Sequence, residues 1–451
     1  FTPAVPDSRN QGILDKLRTS YNMFVDDSLF VVTALITKHA MAASIEALYI
    51  VLGFPDLTAR QNPLSLDKYS QSVCSYERIQ LGKLVNSRSM SFGITEPKRL
   101  AMIQELTHWH DHRKAFTLLQ GVTLCGNFED WAGTSPWARF LFLSLRDSVT
   151  AVLNKATGIT KDRKIIKLMI SEMSQSTSPQ DLRYRFLQRT IAKEIYKCEA
   201  PAFIDKAMRS EIHIIKEILS QPDKYNLSTP IAHVVSREPD FITFGDACLE
   251  AAGGFSKDLK FWWHVEWPHS IKSLTLKNLR VVRRCKISNK LVSINLLEFL
   301  TEIISYAAVT VRFLQDKTLC AQPYPFHLNW TDNKTSKAWI RKAATRTPKG
   351  KALQRILCSL MINNPVGIKA DFIPGVNNVL ADAISRTYSN STSPPSFNNL
   401  FKEFPEMNSW ERFHPSQELL SLLFSALLEG REPGLCHPKT LGHFSAANST
   451  S

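Results

Sequence analysis

Between residues 100 and 220 the apolar positions recur at helical spacing. Leu100, Ile103 and Leu106 form one face and Ile212, Ile215 and Leu219 another. From residue 241 to 386 the pattern changes to short apolar runs of strand length mixed with helical stretches. Near the start, Tyr21 to Val32 reads as two strand-forming runs flanking an aspartate pair, which predicts a β-hairpin with Asp26 and Asp27 at its tip. After residue 400 one amphipathic helix, Glu418 to Glu429, is expected in an otherwise loosely structured tail. Polar, Pro-rich or Ser-rich breaks fall at Ser174 to Gln180, Gln221 to Pro239 and Tyr388 to Asn399. No repeat of fixed period appears. The predicted class is α/β in the mixed α+β sense, in several domains.

Composition narrows this picture. The 451 residues are 44% hydrophobic and 21% charged, which excludes wholesale disorder and disulfide-scaffold or collagen-like classes. The net charge of +14 favours a polyanionic partner. Its distribution is more telling: Ser270 to Arg355 holds 17 Lys or Arg against four acids (Glu298, Glu302, Asp316, Asp332), a net +13. A solvated face normally mixes its signs, so a phosphate backbone is the expected partner of this segment. The eight cysteines (Cys74, Cys125, Cys198, Cys248, Cys285, Cys320, Cys358, Cys436) include no Cys-x-x-Cys pair and read as reduced interior thiols. No run has the length of a membrane span and no signal peptide opens the chain, so an intracellular protein without membrane contact is expected. The first residue is Phe1 rather than Met, and a piece of a longer chain is expected.

Two groups of carboxylates carry candidate chemistry. Adjacent aspartates on a rigid turn repel each other unless cations neutralise them, and hard oxygen ligands suit Mg²⁺. Asp26 and Asp27 fit that description, although a plain Asp-Asp turn has the same sequence. The second group is dispersed. Asp246 ends the strand-like run Phe241 to Ala247, and Glu298 lies on the apolar side of a helix from Ile294. Asp332 ends the run His327 to Thr331, and Asp382 sits among apolar residues in Asn378 to Arg386. An unpaired buried carboxylate costs several kcal/mol, so such positions call for Lys, Arg or a metal. Their neighbours are mostly apolar or uncharged, which favours cations. Two ions held about 4 Å apart by shared carboxylates activate water on one side of a phosphodiester and stabilise the leaving oxygen on the other. Taken singly, each acid reads sooner as a helix cap or the partner of a nearby Lys than as a metal ligand.

The order of these motifs resembles retroelement polymerases. Phe24-Val25-Asp26-Asp27 is similar to the aromatic-x-Asp-Asp box of reverse transcriptases. Leu52-Gly53-Phe54 looks like the next palm motif, and Ile79-Gln80-Leu81-Gly82 like the turn that grips the primer end. Ser135-Pro136-Trp137-Ala138-Arg139 is similar to a Pro-Trp-x-Arg signature of tyrosine-recombinase, DIRS-like retrotransposons. The most specific match is Ile373-Pro374-Gly375 through Asn378 and Ala381-Asp382 to Ser385-Arg386, which resembles the last motif of retroelement ribonuclease H.

That resemblance implies a partial palm with the start of a thumb (1–98), a helical thumb and connection (99–235), and a ribonuclease H-like domain with a mixed five-stranded sheet (236–388). A linker and tail (389–451) would follow. It implies Asp246, Glu298, Asp332 and Asp382 as ligands of two Mg²⁺ or Mn²⁺ ions, with Glu302 the competitor for the second position, and Asp26 and Asp27 as palm carboxylates. The implied partners are an RNA–DNA hybrid, a primer-template and the rest of a polyprotein. Contacts to nucleic acid would come from Leu81, Gly82, Arg280, Arg283, Arg284, Lys286, Asn333, Lys334, Lys337, Arg341 and Lys342. The chain departs from the family in two ways. About 20 residues precede the hairpin, too few for the earlier palm aspartate, so independent DNA synthesis is not expected. Asp371-Phe372 stands where many such enzymes carry a mobile His. The alternative is a non-catalytic, basic nucleic-acid-binding remnant of a decayed element.

Overall fold

The computed structural model describes residues 20–24, 27–31, 43, 46, 76–80, 82–159, 202–225, 227–234, 237–281, 291–320, 324–342, 345, 347–364, 366–388, 395–430 and 441–446. The chain divides into two compact units, Phe1–Thr95 and Glu96–Ser451.

In the first unit, Ser20–Phe24 and Asp27–Val31 pair antiparallel, with Tyr21 opposite Phe30 and Phe24 opposite Asp27. The hairpin is present, but its register corrects the expected turn. Asp27 is the first residue of the returning strand and not half of a two-aspartate tip. Asp26, the Asp27 side chain, Leu52-Gly53-Phe54 and Leu81 lie outside the described residues. The strands Glu77–Gln80, Lys83–Asn86 and Ser91–Ile94 form an antiparallel meander. Gly82 precedes the second of them at φ +71°, a left-handed conformation that glycine adopts without strain.

The second unit begins with helices. Glu96–Thr107 buries Met102 and Leu106, while Leu100 is exposed, so the buried face is rotated from the one the sequence predicts. Its continuation His108–His112 is a π-helical turn that buries Trp109 and so extends the same face. Leu118–Ala132 starts with a capping box between Thr117 and Gln120, and Lys206–Ser220 is capped by Asp205. Ile212, Ile215 and Leu219 face inward as predicted. Pro136–Phe140, from the Pro-Trp-x-Arg segment, is a short 3₁₀ helix whose Trp137 packs edge-on against Trp131.

The remainder of the unit is built on one sheet. Its strands are β1 (Phe241–Ala247), β2 (Ala251–Ser256), β3 (Phe261–Glu266), β4 (Phe326–Thr331), β5 (Gly367–Phe372), β6 (Glu411–Pro415) and β7 (Gly442–Ala446). Its helices are α1 (His269–Val281), α2 (Ile294–Gln315), α3 (Lys334–Lys342), α4 (Pro348–Asn363), α5 (Val379–Ser385) and α6 (Gln417–Glu429). The strand order is β5-β4-β1-β2-β3-β6-β7. β1, β4 and β5 run parallel, β1-β2-β3 is an antiparallel meander, and β6 joins β3 in parallel with β7 antiparallel beyond it.

Successive strand residues face opposite ways, and β1 shows how this layers the helices. A side chain at Gly245 would strike Thr301 of α2, while Asp246 and its cross-strand partner Gly253 face Ser385 and Ile384 of α5. A methyl at Gly253 would lie 2.3 Å from Ile384, so the missing side chain lets α5 rest on the sheet. α2 is the one described helix long and apolar enough to cross a membrane, and 89% of its apolar window is buried inside the protein.

Two expectations need correction. Among the described residues the sheet has seven strands, not five, and 395–430 and 441–446 are not merely linker and tail. Leu400, Met407 and Trp410 join Phe255, Trp262, Leu380, Ala381 and Ile384 in one buried cluster, with Phe397, Phe401 and Phe404 against it. The physical reason is apolar surface on β2, β3 and α5 (Phe255, Trp262, Leu380, Ile384) that these residues cover, while β6 pairs with the β3 edge. The helix expected at Glu418 to Glu429 is α6, capped by Ser416 and ended by Gly430 at φ +62°.

Helical segment and sheet segment are fastened by one buried ion pair. Arg355 of α4 meets Glu211 of Lys206–Ser220, the two side chains being 5% and 1% exposed. Glu211 also accepts the backbone N–H groups of Ser144 (2.7 Å) and Leu145 (3.0 Å) at the start of helix Leu143–Ile159. Removing one partner of such a pair strands a buried charge. Arg355→Met is therefore expected to destabilise the protein by about 3 kcal/mol in urea denaturation. A loss under about 1 kcal/mol would show the pair to be incidental.

Candidate metal centre

β1 and β4 are parallel neighbours with Phe244 opposite Trp330, so Asp246 and Asp332 each lie two residues further on, at the same level. Both strands end there in the carboxyl-end crevice where open sheets present ligands. Glu298, in the second turn of α2, reaches the same place. One carboxylate oxygen from each of Asp246, Glu298 and Asp332 lies within 4.8 Å of the other two. Asp246 and Glu298 are 5% and 4% exposed, and Asp332 is half-buried.

The electrostatics are those of crowded, dehydrated acids. Burial chiefly raises Asp246, to about 6, with Asp332 and Asp382 adding repulsion and Ser385 and Arg386 opposing it. Burial raises Glu298 well above the usual carboxylate range, followed by the charges of Asp246, Asp332 and Glu302. Asp332 is raised by burial and then by Asp382. Among the described residues none of the three forms an ion pair with Lys or Arg, and Oε2 of Glu298 is buried without a hydrogen-bond partner. Three convergent oxygens and an orphaned carboxylate oxygen fit a hard divalent cation.

Glu302, the competitor, is engaged elsewhere. Its Oε1 accepts from Ser336 Oγ at 2.9 Å and its Oε2 from Asn329 Nδ2. Asn329 in turn accepts from Thr243, whose hydroxyl also meets Nε2 of the fully buried His327 at 2.7 Å. Burial raises Glu302 to about 7 and pulls His327 down to about 3. This is an internal polar network beneath the site.

The last motif is a set of braces. A Cβ at Gly375 would stand 3.0 Å from Oδ2 of Asp332, so this glycine makes room for that carboxylate. Asn378 Nδ2 donates to the Gly245 carbonyl at 3.0 Å, tying α5 to the strand that bears Asp246. Ser385 Oγ donates to Asp246 Oδ2 at 2.6 Å. Asn378, Asp382 and Ser385 follow helical spacing, a signal by which sequence reading could have assigned their shared face. Asp382 itself is not in the cluster of three. Arg386 Nε contacts both its oxygens at 2.8 Å, and its Nη2 lies 2.7 Å from Oδ1.

The expected nucleic-acid residues of the second unit are placed differently from one another. Asn333 caps α3, accepting from Thr335 N (2.9 Å) and Ser336 N (3.0 Å), and donates to Asn295 Oδ1 at 2.8 Å. Lys337 pairs with Asp371, and the Lys334 ammonium lies 4.8 Å over the Phe372 ring. Lys334, Arg341 and Lys342 are exposed on α3, which begins two residues after Asp332. Arg283, Arg284, Lys286 and the Arg280 side chain lie outside the described residues.

No protein-family model matches the chain and no curated relative is found. Among solved structures, a foamy viral protease-reverse transcriptase in complex with double-stranded DNA is similar at 12% identity and a TM-score of 0.26, over 81% of this chain. The chain spans 57% of the length of that protein. A similarity of that size defines no shared fold.

A carboxyl group whose folded pKa is raised favours the fold while protonated. That contribution is complete below the unfolded value of 3.8 and is lost as pH rises through about 6 for Asp246. In chelator, stability to urea is therefore expected to fall between about pH 4 and pH 7, and Asp246→Asn to flatten the slope. The same change is expected to stabilise the ion-free protein at pH 7 by on the order of 2 kcal/mol. An unaltered slope would contradict crowding of charge at this site.

Proposed function

We propose that this chain carries a divalent-cation-dependent nuclease centre that hydrolyses the RNA strand of an RNA–DNA hybrid, within part of a retroelement reverse transcriptase. The observation that carries the reading is the meeting of Asp246, Glu298 and Asp332, one from a strand, one from a helix and one from a strand end, without a basic partner among the described residues. Asp382 is the fourth acid, on the helix that braces Asp246.

Mg²⁺ or Mn²⁺ bound there supplies Lewis-acid activation of water and charge neutralisation at the leaving oxygen. The chain's own residues do the rest. Asp246, Glu298 and Asp332 hold the cations, and Ser385 fixes the orientation of Asp246 by donating to Oδ2. Gly375 keeps the approach to Asp332 open. Lys334, Arg341 and Lys342, exposed just beyond Asp332, offer positive charge to a phosphate backbone, and the basic stretch containing Arg280, Arg283, Arg284 and Lys286 is proposed to do the same. A hybrid is recognised by groove shape and the 2′-hydroxyls of one strand, so cleavage is expected to tolerate sequence. Asp26 and Asp27 are proposed as carboxylates of a polymerase palm, with Leu81 and Gly82 at the primer end.

The decisive comparison lies within α2. Glu298→Gln is expected to lower Mg²⁺-dependent cleavage of a labelled hybrid by at least about 100-fold, and Asp246→Asn and Asp332→Asn likewise. Glu302→Gln is expected to keep activity within about ten-fold and to alter chiefly stability, because both its oxygens are already bonded internally. Equal losses at 298 and 302 would defeat the assignment, and salt-sensitive binding without turnover would leave only a basic binding protein.

A further inference from the structure

Asp382 differs from the other three acids in exposure and in partner. It is 41% exposed, and Arg386, one helical turn on and 64% exposed, grips both its oxygens. The same two residues touch the buried cluster electrostatically. Asp382 repels Asp246 and Asp332, and the Arg386 charge acts on Asp246.

Resting on the metal-centre reading above, we propose that Arg386 is a built-in counter-cation at the second ion position. It holds Asp382 away from the centre until a divalent ion takes its place. Ions then load in order: one among Asp246, Glu298 and Asp332, and a second only when Asp382 lets go of the guanidinium.

Magnitudes favour a releasable latch over a rigid brace. A pair this exposed biases an equilibrium by no more than about five-fold, because water and salt screen it. A divalent ion placed between carboxylates interacts with twice the charge in a drier place, so it can win the exchange. The contrast with Arg355 and Glu211 is instructive: that pair is almost wholly buried, and the carboxylate is further held by the backbone N–H groups of Ser144 and Leu145. An arginine at the end of a helix also favours the helix dipole, a purely structural role. In that role it would affect melting and leave ion binding alone.

The test is binding of Mn²⁺ to the full chain without nucleic acid, followed by titration calorimetry and by the electron paramagnetic resonance signal of free Mn²⁺. Wild type is expected to show a stronger and a weaker ion. R386Q should tighten the weaker ion about five-fold and the stronger one much less, with R386K in between. D382N should abolish the weaker ion, and in D382N the further change R386Q should have no effect. An unchanged weaker ion in R386Q, an equal gain at both ions, or a gain that persists in D382N would each overturn the latch. If R386Q does not melt cooperatively, R386K must still shift the weaker ion in the same direction. D332N that binds both ions as wild type would overturn the metal centre itself, whatever Arg386 does.

Discussion

Three carboxylates brought together out of water cannot all stay ionised without compensating positive charge, and much of the second unit is arranged around that constraint. The parallel pair β1 and β4 fixes Asp246 and Asp332 at one level, and α2 contributes Glu298. Such geometry survives only if the backbone beneath is rigid. Here it rests on a sheet covered on both faces, where Gly245 and Gly253 admit helices at distances that a larger residue would forbid. Site stability is thereby supplied by apolar packing elsewhere, leaving the acids free to be unfavourable in the absence of cations.

The strands and helices that bear the acids were legible because their signals are local. Phe241 to Ala247 reads as a strand and is one, and the position of Asp382 within a short helix follows from the apolar residues around it. The order of the acids added what locality could not, namely that these elements meet. The reading failed where tertiary packing decides. Leu100 looked like a face residue by spacing, yet the helix buries Met102 and Leu106, with Trp109 beyond them, and leaves Leu100 in solvent. The segment after 395 looked like a tail because polar and proline residues precede it. Its aromatics Phe397, Phe401, Phe404 and Trp410 gather with Leu400 and Met407 of the same segment, and the group is buried by packing against residues of β2, β3 and α5 that are distant in sequence.

The last motif illustrates what a string of residue types conceals. As sequence, it offered one acid for the site. As structure, most of its members restrain other parts: Gly375 yields space to Asp332, Asn378 fixes the strand of Asp246, and Ser385 orients that aspartate. Arg386 holds the Asp382 carboxylate. The spacing is thus dictated by one short helix that must touch two strands and a turn at once, a geometric demand stricter than the need for a single carboxylate.

Two buried acids one helical turn apart on α2 show how function separates from structure in the same environment. Burial raises both, so the shift alone cannot tell them apart. Partners can. Glu302 has a donor for each oxygen, from Ser336 and Asn329, and the group is complete as it stands. Glu298 keeps a buried oxygen with none, pointing among two further acids. Leaving a buried carboxylate oxygen unsatisfied costs several kcal/mol, a cost that protonation lessens and that a bound cation would remove. Incompleteness, rather than burial or acidity, is what sets Glu298 apart from Glu302.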